Sequence, residues 1–176
     1  MPMASHSPRS ERVVAMPSLK RLLLLFISVM AFAYVALGTL LYTMQGAVLY
    51  HPSPLRFEPD APALAIAAPS GILHGWVVGP GKPSAVIYYG GNGEQVERDV
   101  DFFRTLLPDR SVYLVPYRGY GPNAGKPSEP VIEADELAVY DFVRARHRHV
   151  ALIGRSLGSG VATYVGAHRP IDRIVL

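Results

Sequence analysis

The amino-acid sequence predicts an α/β domain with a mainly parallel sheet, preceded by one helix that spans a membrane. Three observations support this prediction. Residues 22–42 are almost entirely apolar, short β-rich runs alternate with helical patterns in the rest of the chain, and glycine-rich turns follow three of the runs. Strands that alternate with helices favour parallel pairing, because the connecting helices cross over the faces of the sheet.

The composition excludes several classes of protein. A chain of 176 residues has room for one domain in addition to an anchor. It contains no cysteine, which excludes disulfides and thiolate metal sites, and no spacing predicts a metal ion or an organic cofactor. The net charge of +3 derives from the first 21 residues, since the other 155 hold 13 basic and 13 acidic side chains. A nucleic-acid partner is therefore not expected.

The first two predicted segments are a basic cytoplasmic tail, residues 1–21, and a transmembrane signal-anchor helix, residues 22–44. The 21 residues of 22–42 would span about 30 Å as a helix, which is the thickness of a hydrocarbon core. A cleaved signal peptide is the alternative, but its apolar region usually has only about 7–15 residues. The basic residues before the helix favour a cytoplasmic N-terminus. We therefore expect a single-pass membrane protein whose remaining part is extracytoplasmic.

A proline-rich linker, residues 45–62, is predicted next, because proline lacks a backbone donor and discourages regular structure. The domain, residues 63–176, follows the linker. β-rich runs predict strands near Ile72–Val78, Ala85–Tyr89, Val112–Val115, Val150–Ile153 and Ile174–Leu176. Helical patterns predict helices near Glu94–Leu107, Ile132–Arg146 and Leu157–Ala167.

The run Gly-Arg-Ser-Leu-Gly at 154–158 directly follows a predicted strand and precedes a helical pattern. A G-x-S-x-G run in this context is typical of a nucleophile elbow, a sharp and strained turn that exposes its serine. Ser156 is then the candidate nucleophile, and Gly154, Arg155 and Gly158 complete the elbow. The alternative is a glycine-rich turn in which Ser156 only caps the following helix.

A second glycine loop, Tyr-Tyr-Gly-Gly-Asn-Gly-Glu at 88–94, follows an earlier predicted strand. Such a loop can present backbone N–H groups to the negative oxygen of a tetrahedral intermediate. The candidate donors for this oxyanion hole are the N–H groups of Asn92 and Leu157, with Gly91 as the alternative to Asn92. The other interpretation is ordinary turn chemistry, because Gly-Asn-Gly is common in loops.

A third loop, residues 116–129, also follows a predicted strand. Its glycines match neither a phosphate-binding loop nor a dinucleotide-binding fingerprint. We assign Tyr117, Arg118 and Tyr120 as candidate pocket walls near the site.

Together the three segments, YYGGNGE at 88–94, YRGYGPNAGKPSE at 117–129 and GRSLGSGVA at 154–162, resemble the α/β-hydrolase superfamily, specifically its membrane-anchored, serine-aminopeptidase-like branch. The resemblance implies the N-terminal portion of an α/β-hydrolase fold, with Ser156 as nucleophile. It also implies oxyanion N–H groups at Asn92 and Leu157, and hydrolysis of an ester, amide or related acyl bond in a small molecule or peptide. This sequence departs from the family at Pro116, where relatives often carry Asp, and at Gly90, which replaces a His.

The family places its acid and its histidine after later strands, whereas only His168 and Asp172 follow Ser156 in this sequence. His168 lies on the same predicted helix as Ser156, about 18 Å away. Asp172, His147 and His149 are expected at the opposite edge of the sheet. We therefore expect a hydrolase domain that is truncated after the nucleophile helix and lacks its triad acid and histidine. The alternative is a catalytically inactive, membrane-tethered fragment or binding module.

Overall fold

The computed structural model describes residues 18–176, so most of the predicted basic tail, residues 1–17, lies outside the described residues. The chain divides into two compact units between Met44 and Gln45. The first unit contains most of helix α1 (Leu19–Leu49), which has 31 residues and a mean hydropathy of 2.3 over its apolar window. No side chain of α1 is buried. The helix is long and apolar enough to span a membrane.

Helix α1 continues beyond the predicted boundary at residue 44 as far as Leu49, because the first proline after the apolar run is Pro52. Residues 45–62, predicted as a linker, belong to the second compact unit. Ser53 donates its hydroxyl to the carbonyl oxygen of Glu94 at 3.1 Å, and its own carbonyl accepts the N–H of Gly121 at 2.8 Å. Residues 50–62 form no helix and none of the named strands, and the proline-rich composition could not show that they pack onto distant loops.

The second unit contains a six-stranded sheet in the order β1-β2-β4-β3-β5-β6. β3 pairs in parallel with β4 and β5, and β5 pairs in parallel with β6, whereas β2 is antiparallel to β1 and β4. The predicted mainly parallel sheet is therefore confirmed. The strands are β1 Ala63–Ala68, β2 Gly71–Val78, β3 Ser84–Tyr89, β4 Ser111–Leu114, β5 His149–Gly154 and β6 Arg173–Val175.

Strand β1 was not expected from the sequence. Four of its six residues are alanine, a residue that is depleted in strands. The strand forms because it pairs with β2 along its whole length, from Ala63 opposite Trp76 to Ala68 opposite Gly71. Tertiary pairing thus overrides a weak local preference.

Helices cover both faces of the sheet. A 3₁₀ turn (Val96–Asp99) and helix α2 (Val100–Leu106) replace the single longer helix predicted there, and they pack on one face. Helices α3 (Glu129–Arg144) and α4 (Leu157–His168) pack on the other face. In β3, Ile87 and Tyr89 join the core under α3 and α4, whereas Val86 and Tyr88 join the core under α2. Successive side chains of a strand point to opposite faces, so a strand covered on both faces is apolar throughout.

Candidate active site

The loops that follow β3 and β5 meet at one edge of the sheet. The two strands are parallel, and their last residues, Tyr89 and Gly154, are paired. The N–H of Arg155 donates to the carbonyl oxygen of Tyr89 at 3.0 Å, which joins the two loops directly. A cavity of about 280 Å³ at this edge is lined by Arg155, Ser156 and residues 91–94. The structure thus brings together the elbow and the glycine loop that the sequence analysis identified separately.

Ser156 has a strained backbone. Its φ is 52° and its ψ is −112°, and within residues 18–176 it is the only residue other than glycine with a positive φ. Such a conformation costs about 1–3 kcal/mol and needs support from the surrounding structure. The side chain is exposed and makes no capping hydrogen bond to α4. This geometry differs from that of a serine that only caps a helix, whose hydroxyl would accept a backbone N–H.

The two glycines of the elbow allow α4 to approach the sheet closely. A β-carbon at Gly158 would lie 1.9 Å from the carbonyl oxygen of Tyr89. A β-carbon at Gly154 would lie 2.4 Å from the carbonyl oxygen of Gly158. Neither distance accommodates a carbon atom, so both positions require glycine while the elbow keeps this conformation.

Two backbone amides beside the cavity have no internal partner. In the described part of the chain, the N–H groups of Asn92 and Leu157 donate to no backbone or side-chain acceptor. Leu157 is the first residue of α4, where the helix itself cannot use the N–H and where the positive end of its dipole lies. Gly91, the alternative donor considered from the sequence, already donates its N–H to Oε2 of Glu94.

The side chain of Asn92 holds its own loop in place. Its Oδ1 accepts the hydroxyl of Tyr120 at 2.8 Å and the backbone N–H of His51 at 2.9 Å, and its Nδ2 donates to the carbonyl oxygen of Leu49 at 2.5 Å. Nδ1 of His51 lies 3.0 Å from the same Nδ2. Sequence reasoning missed this role of Asn92, because its partners lie 28 to 43 residues away along the chain.

Tyr117 and Tyr120, predicted as pocket walls, are instead buried beneath the glycine loop, with 4% and 1% of their surface exposed. Tyr117 donates its hydroxyl to the carbonyl oxygen of Gly90 at 2.8 Å, and Tyr120 donates to Asn92. The two rings meet edge to face, with centroids 5.7 Å apart. Both tyrosines therefore support the loop from below, and the aromatic ring and the hydroxyl each have a structural partner.

Arg118, the third predicted pocket wall, is also buried and has a structural role. Its Nε donates to Oδ2 of Asp135 on α3 at 2.9 Å, and both side chains of this ion pair are nearly inaccessible to solvent. Its Nη2 donates to the carbonyl oxygen of Gly71 at 3.0 Å. The guanidinium group therefore joins the third loop to α3 and β2. The sequence could not predict this role, because it does not show that Asp135 lies beside Arg118 in the interior of the domain.

Glu94 is the charged group at the centre of the glycine loop. Its carboxylate accepts the hydroxyl of Tyr88 at 2.6 Å and the N–H of Gly91, and it lies 3.2 Å from Nη1 of Arg155. Burial raises the pKa of Glu94, but the two hydrogen bonds and the positive charge of Arg155 outweigh it, so the net pKa is lowered. Burial, then the hydrogen bond to Glu94 and the negative charge of Glu94, raise the pKa of neighbouring Asp99 to about 6. Glu94 thus remains ionised and holds the loop closed.

Most histidines of the described chain lie away from Ser156, as the sequence analysis expected. His147 bonds to Tyr113 and to the carbonyl oxygen of Lys82, and His149 contacts Asp172. These groups lie at the start of β5, about 17 Å from its end at about 3.3 Å per residue. His168 bonds to a carbonyl oxygen of its own helix. Within residues 18–176, no histidine forms a hydrogen bond with Ser156. His51 contacts the glycine loop through Asn92.

Comparison with curated proteins finds several relatives, although no family model matches the sequence. Protein ABHD12B of Homo sapiens is 42% identical over 72 residues, which are 37% of this chain and 20% of that protein. An uncharacterized protein of Mycobacterium tuberculosis is 29% identical over 165 residues, which are 82% of this chain and 57% of that protein. Lysophosphatidylserine lipase ABHD12 of Xenopus tropicalis is 47% identical over 49 residues, which are 27% of this chain and 13% of that protein. The chain spans 57% of the length of the Mycobacterium tuberculosis protein and 20% or less of the other two.

Solved structures show the same fold. The esterase Pf2001 of Pyrococcus furiosus has a TM-score of 0.52 and 20% identity, covering 65% of this chain and 49% of that chain. XC6422 of Xanthomonas campestris, described as an α/β serine hydrolase without a lid, has a TM-score of 0.52 and 25% identity, covering 66% and 59% of the two chains. The second compact unit therefore has the fold of these enzymes.

Proposed function

We propose that this chain, which belongs to the α/β-hydrolase superfamily, is a membrane-anchored serine hydrolase that cleaves an ester or amide bond with Ser156 as its nucleophile. One observation carries the proposal. An exposed serine with a strained backbone shares a cavity with the Asn92 amide, and the unpaired Leu157 amide directly follows it. Backbone strain of this kind persists where surrounding structure enforces it, and it is concentrated at functional sites.

The proposed reaction is acyl transfer through Ser156. Its Oγ forms a bond to the substrate carbonyl carbon while its proton passes to a general base. The carbonyl oxygen becomes negative and accepts hydrogen bonds from the N–H groups of Asn92 and Leu157. Collapse of this intermediate breaks the bond to the alcohol or amine, which takes up the proton, and water later hydrolyses the acyl-serine. Loss of one oxyanion donor typically lowers kcat by about 10²- to 10³-fold.

The general base is the part of this mechanism that residues 18–176 do not supply in the described conformation. In this superfamily the acid and the histidine follow the nucleophile along the chain. The described histidines at the start of β5 are too far from Ser156 to accept its proton. This observation favours one second candidate function, a membrane-tethered module that binds a partner without catalysis.

Helix α1 supports the membrane part of the proposal. None of its 31 residues is buried, and its apolar window has a mean hydropathy of 2.3, which suits a helix surrounded by lipid. Four basic residues and one acidic residue among the first 21 favour a cytoplasmic N-terminus and a hydrolase unit beyond the membrane. A lipid ester is the substrate class that fits this location, and a lysophosphatidylserine lipase is among the relatives.

Labelling with a fluorophosphonate probe tests the proposal. The 176-residue chain is expressed in membranes beside a Ser156→Ala variant and a Ser70→Ala control. Ser70 is an exposed serine outside the cavity that contains Ser156. Labelling of the parent chain and of the control, and none of Ser156→Ala, would support Ser156 as a nucleophile that receives its general base from outside the described contacts. Absence of labelling in a parent chain whose Trp76 fluorescence shows it to be folded would contradict the hydrolase proposal and favour the binding module.

A further inference from the structure

The segment that follows helix α1, residues 50–54, lies across the glycine loop. Ser53 donates its hydroxyl to the carbonyl oxygen of Glu94 at 3.1 Å, and the N–H of Gly121 donates to the carbonyl oxygen of Ser53 at 2.8 Å. This segment and both loops belong to the second compact unit. The contacts do not involve the side chain of His51, so the backbone that carries this histidine is held in place independently of its ring.

We propose that His51 is a positioning residue for the oxyanion hole. Its ring accepts a hydrogen bond from the side chain of Asn92 and thereby holds the N–H of Asn92 at the cavity that contains Ser156. This role rests on the proposed function of Ser156 and adds to it a residue that acts through Asn92. The oxyanion hole is then ordered by a segment outside the three loops that the sequence singled out.

The hydrogen bonds of Asn92 leave one orientation for its side-chain amide. The backbone N–H of His51 can only donate, so the atom 2.9 Å from it must be Oδ1. The carbonyl oxygen of Leu49, the last residue of α1, can only accept, so the atom 2.5 Å from it must be Nδ2. The hydroxyl of Tyr120 also donates to Oδ1, at 2.8 Å. A flipped amide would lose both hydrogen bonds to the backbone.

This orientation determines the protonation state of the His51 ring. Nδ1 of His51 lies 3.0 Å from Nδ2 of Asn92, which has a second hydrogen to donate after its bond to Leu49. Nδ1 must therefore be unprotonated, and the proton of the neutral ring resides on Nε2. A protonated ring carries an N–H on both nitrogens and would place two donors face to face. Protonation thus removes one of the four hydrogen bonds of the Asn92 side chain.

The side chain of Asn92 fixes the peptide that carries the proposed oxyanion donor. In the described part of the chain the N–H of Asn92 has no internal acceptor, and Asn92 lines the same cavity as Ser156. Gly91 and Gly93 flank it, and glycine leaves the backbone free to adopt many conformations. The order of this N–H therefore depends on partners outside the loop. His51 supplies two of them, its backbone N–H and its ring.

Other titratable groups around the segment bear on any effect of pH. Five charged side chains line a cavity of about 460 Å³ together with Ser53: Arg56, Glu94, Arg98, Asp99 and Arg155. Tyr50 shares another cavity with three more titratable side chains: Glu129, Glu133 and Tyr164. Asp99 changes charge in the same pH range as histidine, because burial and then Glu94 raise its pKa to about 6. Burial raises the pKa of Tyr120, so its hydroxyl continues to donate. Substitutions at residue 51 alone leave all these groups in place.

Two substitutions isolate the hydrogen bond of the His51 ring. In His51→Asn, Oδ1 lies the same number of bonds from the backbone as Nδ1 of histidine, so it can accept from Asn92 without titrating. His51→Leu provides a side chain without an acceptor. Both variants keep the backbone N–H of residue 51. His74→Leu, at an exposed position in β2, is the control for loss of a histidine elsewhere.

Hydrogen exchange of the glycine loop tests the inference without a reactive Ser156. The 176-residue chain is exchanged in lipid nanodiscs at about pH 8 and about pH 5, and peptides that contain residues 88–94 are followed by mass spectrometry. The N–H groups of Gly91 and Glu94 are hydrogen-bonded within the loop, so their exchange, corrected for the intrinsic rate at each pH, reports on its opening.

The expected pattern reverses the position of the parent chain between the two pH values. At about pH 8, the loop of His51→Leu should exchange about fivefold faster than that of the parent chain and of His51→Asn, a factor that corresponds to one net hydrogen bond. At about pH 5, the parent chain should exchange as fast as His51→Leu, and both about fivefold faster than His51→Asn. His74→Leu should follow the parent chain at both values.

The rate of Ser156 labelling by an uncharged ethyl fluorophosphonate connects the loop to the oxyanion hole. We expect labelling to slow by about fivefold wherever exchange is faster by that factor. Equal loop exchange in the parent chain, His51→Leu and His51→Asn at both pH values would overturn the inference. Equal labelling rates in these chains, with altered exchange, would also overturn it, because the loop would then be fixed by His51 without effect on the oxyanion hole. Absence of labelling in a folded parent chain would instead contradict the proposed function, and the exchange rates would still decide whether His51 fixes the loop.

Discussion

Replacement of Gly158 by alanine tests the close packing on which the elbow depends. A β-carbon at this position would lie 1.9 Å from the carbonyl oxygen and 2.5 Å from the carbonyl carbon of Tyr89. Both atoms belong to the backbone of β3, which lies in the middle of the sheet between β4 and β5. To reach a tolerable separation of 3.0 Å, α4 must retreat from β3 by about 1.1 Å. The same movement displaces the N–H of Leu157, the first residue of α4, relative to the glycine loop after β3.

The expected loss of stability follows from two opposing effects. Overpacking costs about 1–3 kcal/mol, and we take the upper end because the obstacle is a central strand and not a flexible side chain. Alanine regains about 1 kcal/mol of helix propensity relative to glycine. The net loss for Gly158→Ala is therefore about 2 kcal/mol. Gly160→Ala keeps the gain in propensity without a clash, and we expect it to be neutral or up to about 1 kcal/mol more stable.

Urea unfolding followed by tryptophan fluorescence measures this difference. Trp76 is the single tryptophan of the chain and is 3% exposed in β2, so its emission reports on the second unit. With an m-value of about 2 kcal/mol/M, Gly158→Ala should lower the unfolding midpoint by about 1 M and Gly160→Ala should raise it by up to about 0.5 M. Equal midpoints for the two variants would refute the argument that α4 touches the backbone of β3 at Gly158.

Two further predictions concern buried charged groups. Glu136 is fully buried with no hydrogen-bond partner for its carboxyl oxygens in residues 18–176, and burial, then the charge of Asp135, raise its pKa well above 4.5, with Arg118 opposing. Above about pH 4.5 the unfolded state releases the Glu136 proton, whereas the folded state retains it. The free energy of unfolding therefore declines as pH rises from about 4.5 toward the folded-state pKa of Glu136, by up to about 1.4 kcal/mol per pH unit. Glu136→Gln should therefore raise the urea midpoint relative to the parent chain at about pH 8 and not at about pH 4, and an equal effect at both pH values would contradict the buried-carboxyl argument. Arg118→Met should cost about 3–5 kcal/mol, because it leaves Asp135 buried without its ion-pair partner. Adding Asp135→Asn should recover part of that loss in a double-mutant cycle, and strictly additive losses would show that the two side chains do not act as a pair.

Much of the fold could be predicted from the sequence because local patterns of apolar and polar residues determine most of its strands and helices. The strands around Ala85–Tyr89 and Val150–Ile153 are continuous apolar runs bounded by glycine or polar residues, which is typical of strands covered on both faces. Their alternation with helices predicted parallel pairing. Strand β1 could not be predicted in this way, because its alanines have no local preference for a strand and it forms only against β2.

The candidate site also has one part that the sequence predicted and one part that only the tertiary structure determined. The G-x-S-x-G run determined an elbow between a strand and a helix, since its glycines and its serine act through backbone conformation within five residues. The identity of the second loop as a neighbour of Ser156 depended on β3 pairing with β5 in parallel, with Tyr89 opposite Gly154. That pairing joins residues more than 60 positions apart, and a single sequence contains no direct signal for it.

The sequence by itself thus predicted the apolar α1, the order of the strands and helices that follow β1, and the elbow at Ser156, because these depend on interactions between near neighbours in the chain. Only the tertiary structure decided that Arg118 is buried against Asp135, that Tyr117 and Tyr120 support the glycine loop, and that His51 contacts Asn92. The physical reason is that a polar side chain can be buried only where distant residues satisfy its charge or its hydrogen bonds, and those residues meet only when the chain has folded.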